Sequence, residues 1–134
     1  MALAQTKAAS IIQEQSEEIS SHKIISLLMD GALERVDQAV VAFNDSDAEQ
    51  FQILINKLVA IINGLRNSLN LEAGGEIATN LDALYDYIAH KLLQTAVSEI
   101  LPVLNETKGL IGEVKSGWDN MDMVSIEFGE TQTA

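Results

Sequence analysis

The 134-residue chain is predicted to be all-α, an antiparallel up-down four-helix bundle with a short mobile N-terminal segment and a disordered acidic C-terminal tail. Three observations predict it. Apolar residues recur at alternating spacings of four and three over four long segments, which gathers them on one face of each helix. Proline occurs once and aromatic residues make up 4% of the chain, a composition that suits helices better than strands. Short polar or glycine-containing breaks separate the segments, so helices of similar length fold back on one another.

Residues 1–19 form the lead segment. It is small, polar and acidic apart from the pair Ile11 and Ile12 and then Ile19, so it is either a mobile leader or an amphipathic turn docked on the bundle. The bundle occupies residues 20–121. Its first helix is expected to start at Ser20 or Ser21, either of which can accept from a first-turn amide, and to end near Asn44. Ile25, Met29, Ala32, Val36, Ala39 and Phe43 make its inward stripe, and Ile24, Leu27 and Leu28 widen the apolar arc beyond one seam.

Asp47 is placed to cap the second helix, read as about Ala48 to Leu71, some 35 Å at about 1.5 Å per residue. Phe51, Ile55, Leu58, Ile62, Leu65 and Leu69 share its inner face, while Ile53, Leu54, Val59 and Ile61 exceed it. Gly74 and Gly75 form the next corner, supplying positive φ angles, with Glu76 near the start of a helix that runs to about Val97. Ile77, Leu81, Leu84, Ile88 and Leu92 are its stripe; Tyr85 points to the seam and Tyr87 away from it.

The fourth helix lies between about Glu99 and Met121. Pro102 belongs in its first turn, where a missing amide is harmless, and Ile100, Leu104, Ile111, Val114, Trp118 and Met121 form its stripe. Gly109, Gly112 and Gly117 each weaken it by about 1 kcal/mol relative to Ala, which either lets a neighbouring helix approach closely or softens the element locally. Residues 122–134 are the acidic tail.

Twenty acidic against eight basic residues give a formal charge of -12, which opposes nucleic acid and anionic membrane surfaces at long range. No run approaches about 18 apolar residues and the first ten are too weakly apolar for a secretory signal, so no membrane insertion and a cytosolic protein are expected. The absence of cysteine removes disulfides, thiolate metal sites and a Cys nucleophile. Catalytic, cofactor and metal sites are not expected. A di-iron bundle needs Glu from two helices and Glu-x-x-His from two more, whereas His22 only follows Glu18, and His90 only follows Asp86, at four residues. The Gly74-Gly75 corner lacks a P-loop's Lys and Ser/Thr and lies between Glu72 and Glu76. The apolar arcs of the first two helices remain, as a groove for another helix, a self-association surface or a berth for the lead segment.

Ser20-x-His22-Lys23-Ile24-Ile25, Leu28-x-Asp30-Gly31-Ala32-Leu33, the run from Leu65 through Gly74, Gly75, Ile77 and Ala78 to NLDALYDY at residues 80–87, and KSGWD at residues 115–119 form a set of motifs. By them the chain resembles the FliS family of flagellar secretion chaperones over about residues 20–119. Ser21 stands where the family usually has proline and Met29 where it usually has tyrosine, and the lead segment has no tyrosine.

The resemblance implies a cytosolic, non-enzymatic export chaperone. Its client would be the C-terminal helical region of flagellin, which folds on the bundle and is kept from polymerising. The complex would engage the export gate protein FlhA, and the lead segment, here through Ile11 and Ile12, would cover part of the groove when the client is absent. From the wide arcs, the candidate contacts are Ile24, Leu27, Leu28, Leu54, Leu58, Ile61, Ile62 and Leu65, joined by Leu81, Tyr85 and Ile88. Of these, Leu58, Ile62, Leu81 and Ile88 also suit the core, and Ile24, Leu27 and Ile61 are the sharpest. The alternative is a self-associating structural bundle without a flagellin client, and a homodimer is open to the client-free protein in either case.

Overall fold

The computed structural model describes residues 21–120 with their side chains; Ile11, Ile12, the lead segment and the acidic tail lie outside them, as do the roles expected of them. Four helices make the fold: α1 (Ala2–Asn44), α2 (Ala48–Asn67), α3 (Leu71–Gln94) and α4 (Ile100–Thr133), with one 3₁₀ turn (Val97–Glu99) before α4. No strand occurs among the described residues. The helices form a ring in which α1 packs on α2 and α4, and α3 closes the circle against the same two. The α1–α2 pairing is the most extensive and α3–α4 the thinnest.

Local chemistry sets most of the boundaries. Ser46 takes φ +58°, and the amides of Asp45, Ser46 and Asp47 return to the last carbonyls of α1. The Asp47 carboxylate then accepts from Gln50 N at 3.1 Å, capping α2 as expected. Pro102 falls in the first turn of α4. Ser21 is a residue of α1's interior rather than its cap. The second corner comes earlier than expected: α2 stops at Asn67, and Asn70 caps α3 through Ala73 N at 3.0 Å. An Asn side chain that can satisfy an orphan amide competes successfully with continuing the helix.

Met29, Ala32, Val36 and Ala39 of α1 meet Phe51, Ile55, Leu58, Ile62 and Leu65 of α2 in the core, with Tyr85, Ile88 and Leu92 of α3 and Ile100, Leu104 and Ile111 of α4. Each large side chain buried here contributes about 1.5–3 kcal/mol. Thr107 fills a core position with its hydroxyl donating to the Val103 carbonyl at 2.8 Å, a polar residue that the apolar pattern passes over.

Gly75 breaks α3. Its φ of +55° and ψ of -133° lie in glycine territory, so the helix bends between its first turn and Glu76. Gly74 is not in a positive-φ conformation; its role is spatial, since a Cβ there would come within 2.5 Å of the Ala78 Cβ. The glycines of α4 differ again. A Cβ at Gly109, Gly112 or Gly117 meets nothing within 4 Å, so close approach of a neighbouring helix does not explain them.

Candidate functional site

Two motif stretches far apart in sequence meet across the α1–α4 seam. The His22 and Trp118 rings stack at 4.5 Å and 5°. His22 Nε2 donates to the Trp118 carbonyl at 2.7 Å, and Trp118 Nε1 donates back to the His22 carbonyl at 3.0 Å. One turn on, Ser26 Oγ donates to Asp119 at 2.8 Å, and Lys115 pairs with Asp119 and, at 3.2 Å, with Asp30. The Lys115 ammonium and the Ser26 hydroxyl hold the Asp119 carboxyl below its ordinary range, and Asp119, with Asp30, holds Lys115 above its own. This clamp fixes one wall of the site.

The facing wall is fixed by ion pairs between α2 and α3. Arg66 Nε reaches Asp82 at 2.7 Å, and a second guanidinium nitrogen reaches Asp86 at 2.9 Å, so one side chain ties two turns of α3 to α2. His90 Nδ1 lies 3.1 Å from the same Asp86. The Asp86–His90 spacing thus belongs to a packing network. No group of three metal-ligating side chains converges among the described residues. Tyr87 is also accounted for, its hydroxyl donating to Glu106 across the α3–α4 seam.

Between these walls the bundle gapes at the end where α3 kinks. A cavity of about 350 Å³ opens there, with Leu69 and Ala73 from the α2–α3 corner, Ile25 and Met29 beneath, Leu81 and Tyr85 on α3, and Trp118 on α4. Ile77 stands at its rim, 64% exposed. Sequence periodicity assigned Ile77 to the buried stripe; it keeps the phase of Leu81 and Ile88 beyond the break at Gly75, and its exposure comes from its place at the open rim of the bundle. Tyr85 is buried, and desolvation pushes its hydroxyl pKa up to about 12.

A second apolar surface runs along the outer side of α1 at the same end. Ile24 and Leu27 are 52% and 56% exposed, and Leu28 is half-buried beside them. Ile61 of α2 is also half-buried, its Cδ1 lying 3.7 Å from where a Gly31 Cβ would stand. Ile24, Leu28 and Gly31 share one α1 face by spacing, so this strip follows the α1–α2 seam. The expected contacts therefore fall into three places. Ile24, Leu27, Leu28 and Ile61 line the strip, Leu81 and Tyr85 line the mouth, and Leu54, Leu58, Ile62, Leu65 and Ile88 are interior.

Burial divides the eleven candidate contacts, five of which lie in the interior. A helix in a ring touches two neighbours as well as the centre, so much of the apolar excess read on α2 is consumed by packing: Leu54 and Val59, which widen its arc to either side, are both buried. Ile77 and Trp118 were missed as site residues.

The fold and this open apolar end define a helical-bundle binding protein. The sequence then says which one it is akin to. The model of the family described as flagellar protein FliS matches residues 4–125. The chain is 43% identical over 110 residues to flagellar secretion chaperone FliSB of Pseudomonas aeruginosa, spanning 82% of this chain and 87% of that one. It is 34% identical over 110 residues to flagellar secretion chaperone FliS of Vibrio cholerae, 82% and 81% of the two chains, and 36% identical over 100 residues to that of Salmonella typhimurium, 74% of each. The chain belongs to the FliS family of flagellar secretion chaperones, which are not enzymes. Among the described residues no helix is long and apolar enough to cross a membrane.

Proposed function

We propose that this chaperone works in the cytosol, binds the C-terminal helical region of flagellin, keeps it from polymerising and helps deliver it to the flagellar type III export apparatus. The observation that carries the reading is the apolar mouth at the kinked end, floored by Ile25 and Met29 and rimmed by Ile77, with the strip of Ile24, Leu27, Leu28 and Ile61 on the outer side of α1. An amphipathic client helix would set apolar side chains into the mouth, and an adjoining segment would lie along the strip. Ordering the client costs part of what burial contributes, so the affinity rests on a few such anchors. Ile11 and Ile12 would cover part of this surface in the client-free protein, and delivery would run through FlhA engaging the chaperone–flagellin complex.

Co-expression with untagged flagellin tests the proposal. Full-length flagellin should co-purify with the tagged chaperone and flagellin lacking its C-terminal helical region should not. Equal recovery of both, or of neither, counts against it. A tight client-free homodimer in sedimentation, with no flagellin bound at any ratio, would instead favour the self-associating structural bundle.

A further inference from the structure

We infer that the opposite end of the bundle is a second docking site, for a polypeptide segment carrying one bulky apolar side chain between lysines or arginines. The α1–α2 turn and the 3₁₀ turn before α4 meet there around a cavity of about 470 Å³. Phe43 and Phe51, edge to face at 5.8 Å, form its floor, and Val97, 56% exposed, stands at its side. The pocket is wide enough for an aromatic or branched side chain and offers it apolar walls.

The charged residues nearest it in sequence are acidic, while Arg35 and Lys57 share the adjoining groove with Asp45 and Asp47. Asp45 and Asp47 lie in the turn, Glu49 in the first turn of α2, and Glu99 two residues beyond Val97. No lysine or arginine occurs between Arg35 and Lys57 or between Lys91 and Lys108. Among the described residues none of the four carboxylates forms an ion pair, and Asp47 caps α2. An apolar pocket with Asp47 in its lining and the exposed Asp45, Glu49 and Glu99 close by in sequence repels anionic partners and favours a cationic one, whose lysines or arginines would sit over the rim as the anchor enters. The site is independent of the flagellin mouth. From Gly74 at the mouth to Gln94 near this end, α3 climbs about 30 Å, so an occupant of one end leaves the other free.

The probe is a short synthetic peptide with one Phe between two pairs of Lys, set against its counterpart with Glu for Lys, titrated into the ¹⁵N-labelled full chain. The Lys peptide is expected to shift the amide resonances of Phe43, Ser46, Phe51 and Val97 and the Glu peptide to leave them in place. Raising the ionic strength from about 0.05 to about 0.5 M should weaken binding about tenfold. Val97→Ser, and separately the pair Glu49→Lys with Glu99→Lys, should each weaken it about fivefold or more while the rest of the spectrum is unchanged. No localised shift, equal response to both peptides, or shifts of the same size at Glu34, Glu72 and Glu113 would overturn the assignment, the last because it would reveal only general attraction to an acidic surface.

Discussion

Trp118 is the single tryptophan, and its environment couples the α1–α4 seam to the wall of the apolar mouth. Replacing it with Phe keeps a ring but removes the donor to the His22 carbonyl. The expected loss is about 1–2 kcal/mol in urea unfolding, and an unchanged midpoint would mean that the clamp contributes nothing. Tyr85 makes a pH prediction. Its hydroxyl pKa is raised from 10.0 to about 12, so the stability it adds is fully present below pH 10 and is lost as pH rises towards 12. Alkaline unfolding of Tyr85→Phe should therefore fall less steeply over that window than that of the parent. Asp119 runs the other way: its carboxyl pKa lies below 3.8, so its contribution is complete above that value and is lost as pH falls through the lowered one. Carbon-detected titration should find Ser26→Ala moving Asp119 back up. At this scale the sequence was only partly legible. His22 could be paired with Glu18 by spacing, but its ring contact lies 96 residues away, and only the presence of both partners in stretches shared with one family hinted that they meet.

At the scale of elements, apolar periodicity located four helices because burial of one face drives them, and Asp47 and Pro102 marked two starts by chemistry that is local. It missed the capping by Asn70 and the exposure of Ile77. Ile77 is in phase with the stripe, but a period cannot tell that the end of the bundle where it lies is open, and there it stays exposed. Gly75→Ala should cost about 1–2 kcal/mol, since alanine resists that backbone region, and a neutral result would show that the corner can relax into another conformation. The glycines of α4 predict the reverse. With nothing near their missing Cβ atoms, Gly109→Ala and Gly112→Ala should each raise stability by about 0.5–1 kcal/mol in chemical denaturation. A loss at either position would point to a close neighbour in solution.

For the whole molecule, the decisive property is where apolar surface remains after the ring has closed. Composition and charge, with 47% hydrophobic residues and a net charge of -12, indicated a bundle that shuns anionic partners. They could not locate the opening, because it arises from the thin α3–α4 seam and the α3 bend, which are relations between helices and not patterns within one. Eleven candidate contacts accordingly resolve into a strip, a mouth and an interior group. Calorimetry of the full chain with a flagellin C-terminal fragment puts the apolar mouth to the test, comparing the parent with Ile77→Asp at the exposed rim. A one-to-one complex with a negative heat-capacity change is predicted, weakened about tenfold or more by the substitution, as expected for losing an anchor of about 1.5–3 kcal/mol. No complex, or an Ile77→Asp variant that binds as tightly as the parent, would contradict it.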